Sequence, residues 1–245
     1  MFRWFLLALL TLAVAALSAV RSTPIEFAMS QVGLPNGLVD WTSAEGTITK
    51  GRLNTVTLGP QLIGDVLVTQ RSLNPFSRSI SYDVQWGSAG GRGSGQIVAS
   101  PERVQVKELR LQQNIVAMPG LVQAIRELGG SIRILNGSFD IDQNGCNSAE
   151  GEIFTDLLMR LGNQYGRSFS ELKGPVSCEN GNVMISLSAS SAEGDLIEIA
   201  GNVSAAGAGE FNISVTTFDS EIRLVLQEYG FTKSDDDVWR YRYQT

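Results

Sequence analysis

Ile80-Ser81-Tyr82-Asp83-Val84-Gln85-Trp86 decides how the rest of the chain is read. Apolar and polar side chains alternate without a slip. In an extended backbone Ile80, Tyr82, Val84 and Trp86 therefore share one side, and Ser81, Asp83 and Gln85 the other. A helix would scatter the same residues around its axis. A strand with one apolar and one wetted face belongs to an antiparallel sheet.

The same period of two recurs on both sides of this stretch. Upstream it is found in residues 46–51, 52–58 and 62–69. Downstream it is found in 96–99 and in 104–111, with a bulge near Lys107 and Glu108. It resumes at 131–135 and 137–141, read as a hairpin, and continues through 174–178, 182–187, 195–203, 210–215 and 238–243. Glycine, asparagine and proline punctuate the runs at intervals that suit a meander. Residues 87–95, GSAGGRGSG, read as a solvated turn, because no Lys-Ser/Thr follows to make a phosphate loop. Helical spacing appears at 118–128, opened by Pro119 and closed by Gly129 and Gly130, and at 220–229, closed by Gly230. Residues 151–161 fit either a strand or a helix. The expected fold is mainly β: an N-terminal membrane helix, then a curved, partly closed antiparallel sheet with two or three short helices. A loose likeness between its halves suggests an internal duplication.

Residues 1–21 stand apart. Between Arg3 and Arg21 lie only uncharged residues, polar at Thr11 and Ser18. As a helix the stretch from Trp4 to Val20 rises about 26 Å, at the short end of what crosses a bilayer core. Arg3 on the leading side favours a cytoplasmic N-terminus. The stretch reads as a signal-anchor. A cleavable signal peptide, with Ala16 and Ser18 before a cut at Ala19, is the alternative. In both cases the remaining chain is exported. Residues 22–42, with Pro24, Gly33, Pro35 and Gly37, read as a linker, and 43–245 as a periplasmic β-rich domain. The expected location is the inner membrane, crossed once.

Composition narrows the function. The net charge is −6 over 245 residues, which argues against a nucleic-acid partner. There are no histidines, so Ser-His-Asp and Cys-His catalysis and His-ligated metal sites are ruled out. G-x-S-x-G does not occur. Asp140, Asp142 and Asn144 before Gly145 open like a calcium loop, but position 151, where its closing glutamate belongs, is Gly151. An Asp/Asn/Gly turn is the simpler reading. No catalytic, cofactor-binding or metal-ligating residues are expected. Cys146 and Cys178 belong to no CxxC pair. In an oxidising compartment they are expected to form one disulfide, which would stabilise the fold by about 3–4 kcal/mol in the chain-entropy picture.

The order of these pieces resembles the type II secretion system protein N family. The likeness runs through the N-terminal anchor, Gly46-Thr47, Gly51, the segment from Arg71 to Pro75, and Trp86. It continues through the glycine-rich strand pair, the hairpin between Ile132 and Ile141, and Cys146. Gly151, Gly174-Pro175, Cys178 and the stretch from Gly194 to Leu226 complete it. The family usually has Thr-Leu/Val-Trp after its first glycine. Here Ile48-Thr49 follows Thr47 and Trp41 lies upstream, so a role tied to that tryptophan does not carry over. The resemblance implies an accessory inner-membrane component of the type II secretion apparatus that acts by protein–protein binding. Its partners would be other inner-membrane and periplasmic components or the outer-membrane secretin, and it would carry no catalytic residue or cofactor. Sheets of this kind also resemble AsmA-like envelope proteins that handle lipids, which gives the alternative function.

Overall fold

The computed structural model describes residues 22–27, 39–58, 61–74, 76, 78–118, 121, 123–204, 208–234 and 237–244. The anchor expected at 1–21 lies outside them. Among the described residues no helix is long and apolar enough to cross a membrane.

The strands are β1 (Val39–Asp40), β2 (Ser43–Thr47), β3 (Lys50–Leu58), β4 (Gln61–Asn74), β5 (Ser79–Ser88), β6 (Gly91–Ala99), β7 (Arg103–Asn114) and β8 (Ser131–Asp142). They continue as β9 (Gly145–Thr155), β10 (Leu172–Glu179), β11 (Asn182–Ser190), β12 (Leu196–Val203), β13 (Gly209–Thr216), β14 (Thr232–Lys233) and β15 (Trp239–Gln244). Among the described residues three α-helices of six or more residues interrupt the run of strands: α1 (Gln123–Leu128), α2 (Leu157–Gln164) and α3 (Ser220–Glu228).

Each strand from β3 to β12 pairs antiparallel with the next. β1 and β2 both lie along β3, and β15 separates β13 from β14. The result is one sheet with fourteen strands in its path and β2 beside it. Its terminal strands β1 and β14 do not pair with each other. The partial closure expected from so many strands is therefore corrected: the sheet is open. Closure needs the first and last strands to meet in register, and here both end strands are two residues long.

Three local expectations also change. Residues 91–95 are strand rather than turn, and only Ala89 and Gly90 make the corner. Residues 131–142 form one strand instead of a hairpin. Asn136 takes a left-handed φ of 52° there, and the register against β9 shifts between Leu135 and Ser138, which bends the strand without reversing it. The ambiguous 151–161 stretch divides: β9 runs to Thr155 and α2 starts at Leu157. The bulge at Lys107 and Glu108 is present, with Glu108 at φ 53° and a register shift between Val106 and Leu109. In the helix expected at 118–128, α1 occupies Gln123–Leu128, and residues 119, 120 and 122 lie outside the described set.

Asp142 Oδ1 accepts from the Asn144 N–H at 2.6 Å, the side-chain turn that its sequence suggests. Cys146 and Cys178 are joined, with Cα atoms 5.7 Å apart. The bond sits where the β9–β10 ladder is interrupted. Pairing runs from Leu172–Thr155 to Pro175–Glu152 and returns only at the Cys146–Gly181 bridge. Pro175 has no N–H to give the ladder, so a covalent link spans an interval that hydrogen bonds do not.

Candidate binding face

Following the cross-strand partners reveals one continuous row. Ala44 faces Leu53, Leu53 faces Val66, and Val66 faces Trp86. Trp86 faces Gly93, then Leu111, Ile134, Ile153 and Gly174 follow in turn. Leu187 lies across from Gly174 by the flanking register, and Ile199, Ile213 and Tyr241 complete the row. Directly opposed residues share a face, so this is an apolar band from β2 to β15. At the usual strand spacing it is roughly 55–60 Å long.

The glycines in and beside the band have a packing reason. A Cβ on Gly93 would stand 2.1 Å from the Trp86 ring, and one on Gly201 would stand 2.7 Å from the Phe211 ring. In each pair an aromatic side chain lies flat across the bare backbone of the neighbouring strand.

The band is covered unevenly. At the C-terminal end, Leu158 and Leu161 of α2, Leu226 of α3, and Phe169 and Phe231 pack on Leu172, Ala189, Ile197, Val215 and Trp239. Leu172 is 2% exposed and Trp239 is 8% exposed. At the N-terminal end, Ile25, Trp41 and Ala44 close over Leu53, Val56, Val66 and Val84. Between these caps a third cluster forms around Ala149, Ile153, Val176 and the disulfide. Each cluster draws its strands from neighbours in the sheet, so no second sheet is stacked on the first among the described residues. Leu111, Ile134, Phe139, Val183, Ile185, Phe211 and Tyr243 stay half-exposed on this face.

The opposite face is ionic. Cross-strand pairs join Arg52 to Asp65, Arg71 to Asp83, Arg103 to Asp140, Arg133 to Glu171, and Arg242 to Glu210. Arg52 and nearby backbone hold the Asp65 carboxyl below the ordinary aspartate range, and Arg242 does the same for Glu210. Asp140, read from sequence in the calcium-like run, is 6% exposed; it binds Arg103 and accepts from Gln105 Nε2 at 3.1 Å.

The aromatics Tyr82, Trp86, Phe139, Phe211, Trp239, Tyr241 and Tyr243 were legible as one-sided from their alternation. The band's continuity was not, because it depends on register across strands far apart in sequence. The one available signal was glycine opposite an aromatic residue.

Among the described residues the chain is thus an open, single-layer antiparallel sheet with one ionic face and one incompletely covered apolar face. The chain belongs to the type II secretion system protein N family, whose model matches residues 37–240. Membership makes it a component of the type II secretion system, and the family is one of structural components, not of enzymes. No curated protein and no solved structure matches the chain significantly.

Proposed function

We propose that this chain is an accessory subunit of the type II secretion apparatus, held in the inner membrane by residues 1–21, with its sheet in the periplasm. It acts by binding other inner-membrane and periplasmic components, or the secretin. The observation that carries this reading is the part of the apolar band between its two capped ends, where Leu111, Ile134 and Ile185 stay half-exposed. Burial of apolar surface on a partner is the main driving force such a face offers. The disulfide fits an oxidising compartment.

The test is secretion itself. Deleting the chain should reduce release of type II substrates, and wild-type complementation should restore it. Phe211→Asp, which places a charge on the half-exposed face, should not restore it while still accumulating as an oxidised, folded protein. Normal secretion in the deletion strain would overturn the reading.

A second reading is supported by the uniformity of the same band, which has no charged side chain from Ala44 to Tyr241. A lipid acyl chain needs such an unbroken apolar track, and a protein partner does not. On this reading the chain handles lipid in the envelope. Native mass spectrometry of the detergent-purified chain separates the two. Bound phospholipid that Phe211→Asp abolishes favours lipid handling, and a lipid-free chain rejects it.

A further inference from the structure

On the ionic face, strands β5 to β8 form an open hollow of about 590 Å³. Gln85, Arg92, Ser94, Arg110, Gln112 and Arg133, all at positions opposite to the apolar band, line it together with Leu135, and Trp86, Gly93 and Leu111 of the band border it. Arg92, Gln112 and Arg133 are direct cross-strand neighbours on β6, β7 and β8. Arg110 lies two residues from Gln112 along β7, opposite Ser94. At strand spacing the outer two arginine backbones are about 10 Å apart, within reach of one shared group for side chains of arginine length.

The charges here are unequally matched. Arg133 is fixed: it pairs with Glu171, and its guanidinium lies 5.6 Å from the centre of the Phe154 ring. Arg92 donates to Gln112 Oε1 at 3.1 Å and has no carboxylate partner among the described residues. Arg110 has no carboxylate partner there either. Elsewhere on this face Arg52, Arg71, Arg103 and Arg242 each meet an acid. Glu108 stands two residues from Arg110 on β7 and Glu152 lies across from Leu135 on β9, and neither forms an ion pair with Arg92 or Arg110. Arg92 and Arg110, neither neutralised by an acid, repel each other across the hollow unless an anion sits between them. The surrounding chain is acidic overall, at −6, so the feature is local and not a general polyanion surface.

We propose that this hollow binds a phosphate-bearing anion, clamped by Arg92, Arg110 and Arg133 from three adjacent strands. Guanidinium forks match phosphate oxygens in paired hydrogen bonds. Gln112 and Ser94 supply neutral polar groups beside them. The hollow has room for more than a bare phosphate, so a substituent on the phosphate is accommodated there. That substituent is either a small soluble body or the diacylglycerol of a lipid headgroup.

The test uses the full-length chain in phosphatidylcholine nanodiscs, titrated with glycerol 3-phosphate by calorimetry, and repeated with phosphatidylglycerol in the discs. Saturable one-to-one binding is expected, weakened at least tenfold by Arg110→Gln and by Arg92→Gln. Neither residue holds an ion pair, so both variants should fold. Arg242→Gln, on the same face outside the hollow, should bind like wild type. If phosphatidylglycerol in the disc suppresses the titration, the headgroup is the source; if it does not, the soluble phosphate is. Absence of saturable binding by either probe, or full binding by the Arg92→Gln/Arg110→Gln double variant, overturns the proposal.

Discussion

Asp195 is 3% exposed, and its carboxylate is met from several sides. Ser191 Oγ donates to Oδ2 at 2.9 Å, Thr217 Oγ1 donates to Oδ1 at 2.6 Å, and Arg167 Nε lies 3.9 Å from Oδ2. The Asp195 N–H returns a bond to Ser191 Oγ at 3.0 Å. One side chain thus ties the turn before β12 to the segment after β13. Asp195→Ala would leave Arg167 short of a partner and two buried hydroxyls without theirs. A loss of about 3 kcal/mol is expected, read as a fall in Tm on the order of 10 °C. Arg167 also pairs with Asp219, the N-cap of α3. The N–H groups of Ile222 and Glu221 donate to Asp219 at 3.1 and 2.8 Å, and with Arg167 they hold its carboxyl below the ordinary aspartate value. A group whose pKa is lower in the folded state stabilises the fold above its unfolded value, near 4, and loses that contribution as pH falls through the folded value. Far-UV dichroism should therefore show α3 loosening only in acid. Asp219→Asn, which keeps the cap but carries no charge, should flatten that acid limb.

At the scale of elements, glycine is where sequence and structure part. In β6 the run from Gly91 to Gly95 resembles a flexible turn when read alone, since glycine favours turns and weakens strands. The structure makes it a strand because Trp86, on β5, needs the empty space over Gly93. The Asn136-Gly137 pair likewise carries the usual hairpin signature, yet it serves as a bend inside β8. Both errors arise because tertiary contacts decide between conformations that local preference leaves close in energy. What was legible was legible for the opposite reason. In β12 alternation matches burial on one face, and from Ile80 to Trp86 it assigns the apolar face correctly although Ser81 on the other side is buried against Ser72, so local preference agrees with the sheet. The cationic hollow was invisible in sequence, since Arg92, Arg110 and Arg133 become neighbours only through the register of β6, β7 and β8. Two substitutions test the packing account. A Cβ on Gly174 would lie 1.8 Å from the Ser186 carbonyl oxygen, a backbone atom that can move only with its strand. A Cβ on Gly93 would meet the Trp86 ring, which can turn aside. Gly174→Ala should thus cost about 3 kcal/mol and Gly93→Ala nearer 1 kcal/mol. The milder variant should shift tryptophan fluorescence as the indole moves, and urea melts of both measure the difference.

For the molecule as a whole, the arrangement sets how much surface folding removes from water. A two-layer domain buries both of its apolar faces against each other. Here a single sheet places its charges on one side and packs the other at its ends and around the disulfide, leaving Leu111, Ile134 and Ile185 half-exposed between the caps and Phe211 half-exposed on β13. The heat capacity of unfolding follows the apolar area newly exposed to water. For 245 residues an ordinary globule would give about 3 kcal/mol/K, and the urea m-value scales with the same area. Both should fall clearly short of the values for a globule of this length. The native protein should also bind a hydrophobic dye such as ANS without being unfolded, because the band is already accessible. Phe211→Asp should reduce the dye signal near the band's C-terminal end while leaving the melting transition cooperative, since that side chain is half-exposed over Gly201. Calorimetry and dye titration on the same preparation examine the two consequences separately. A full-sized heat capacity together with a dye-silent native state would mean that the band is covered along its whole length, and the binding face would lose its physical basis.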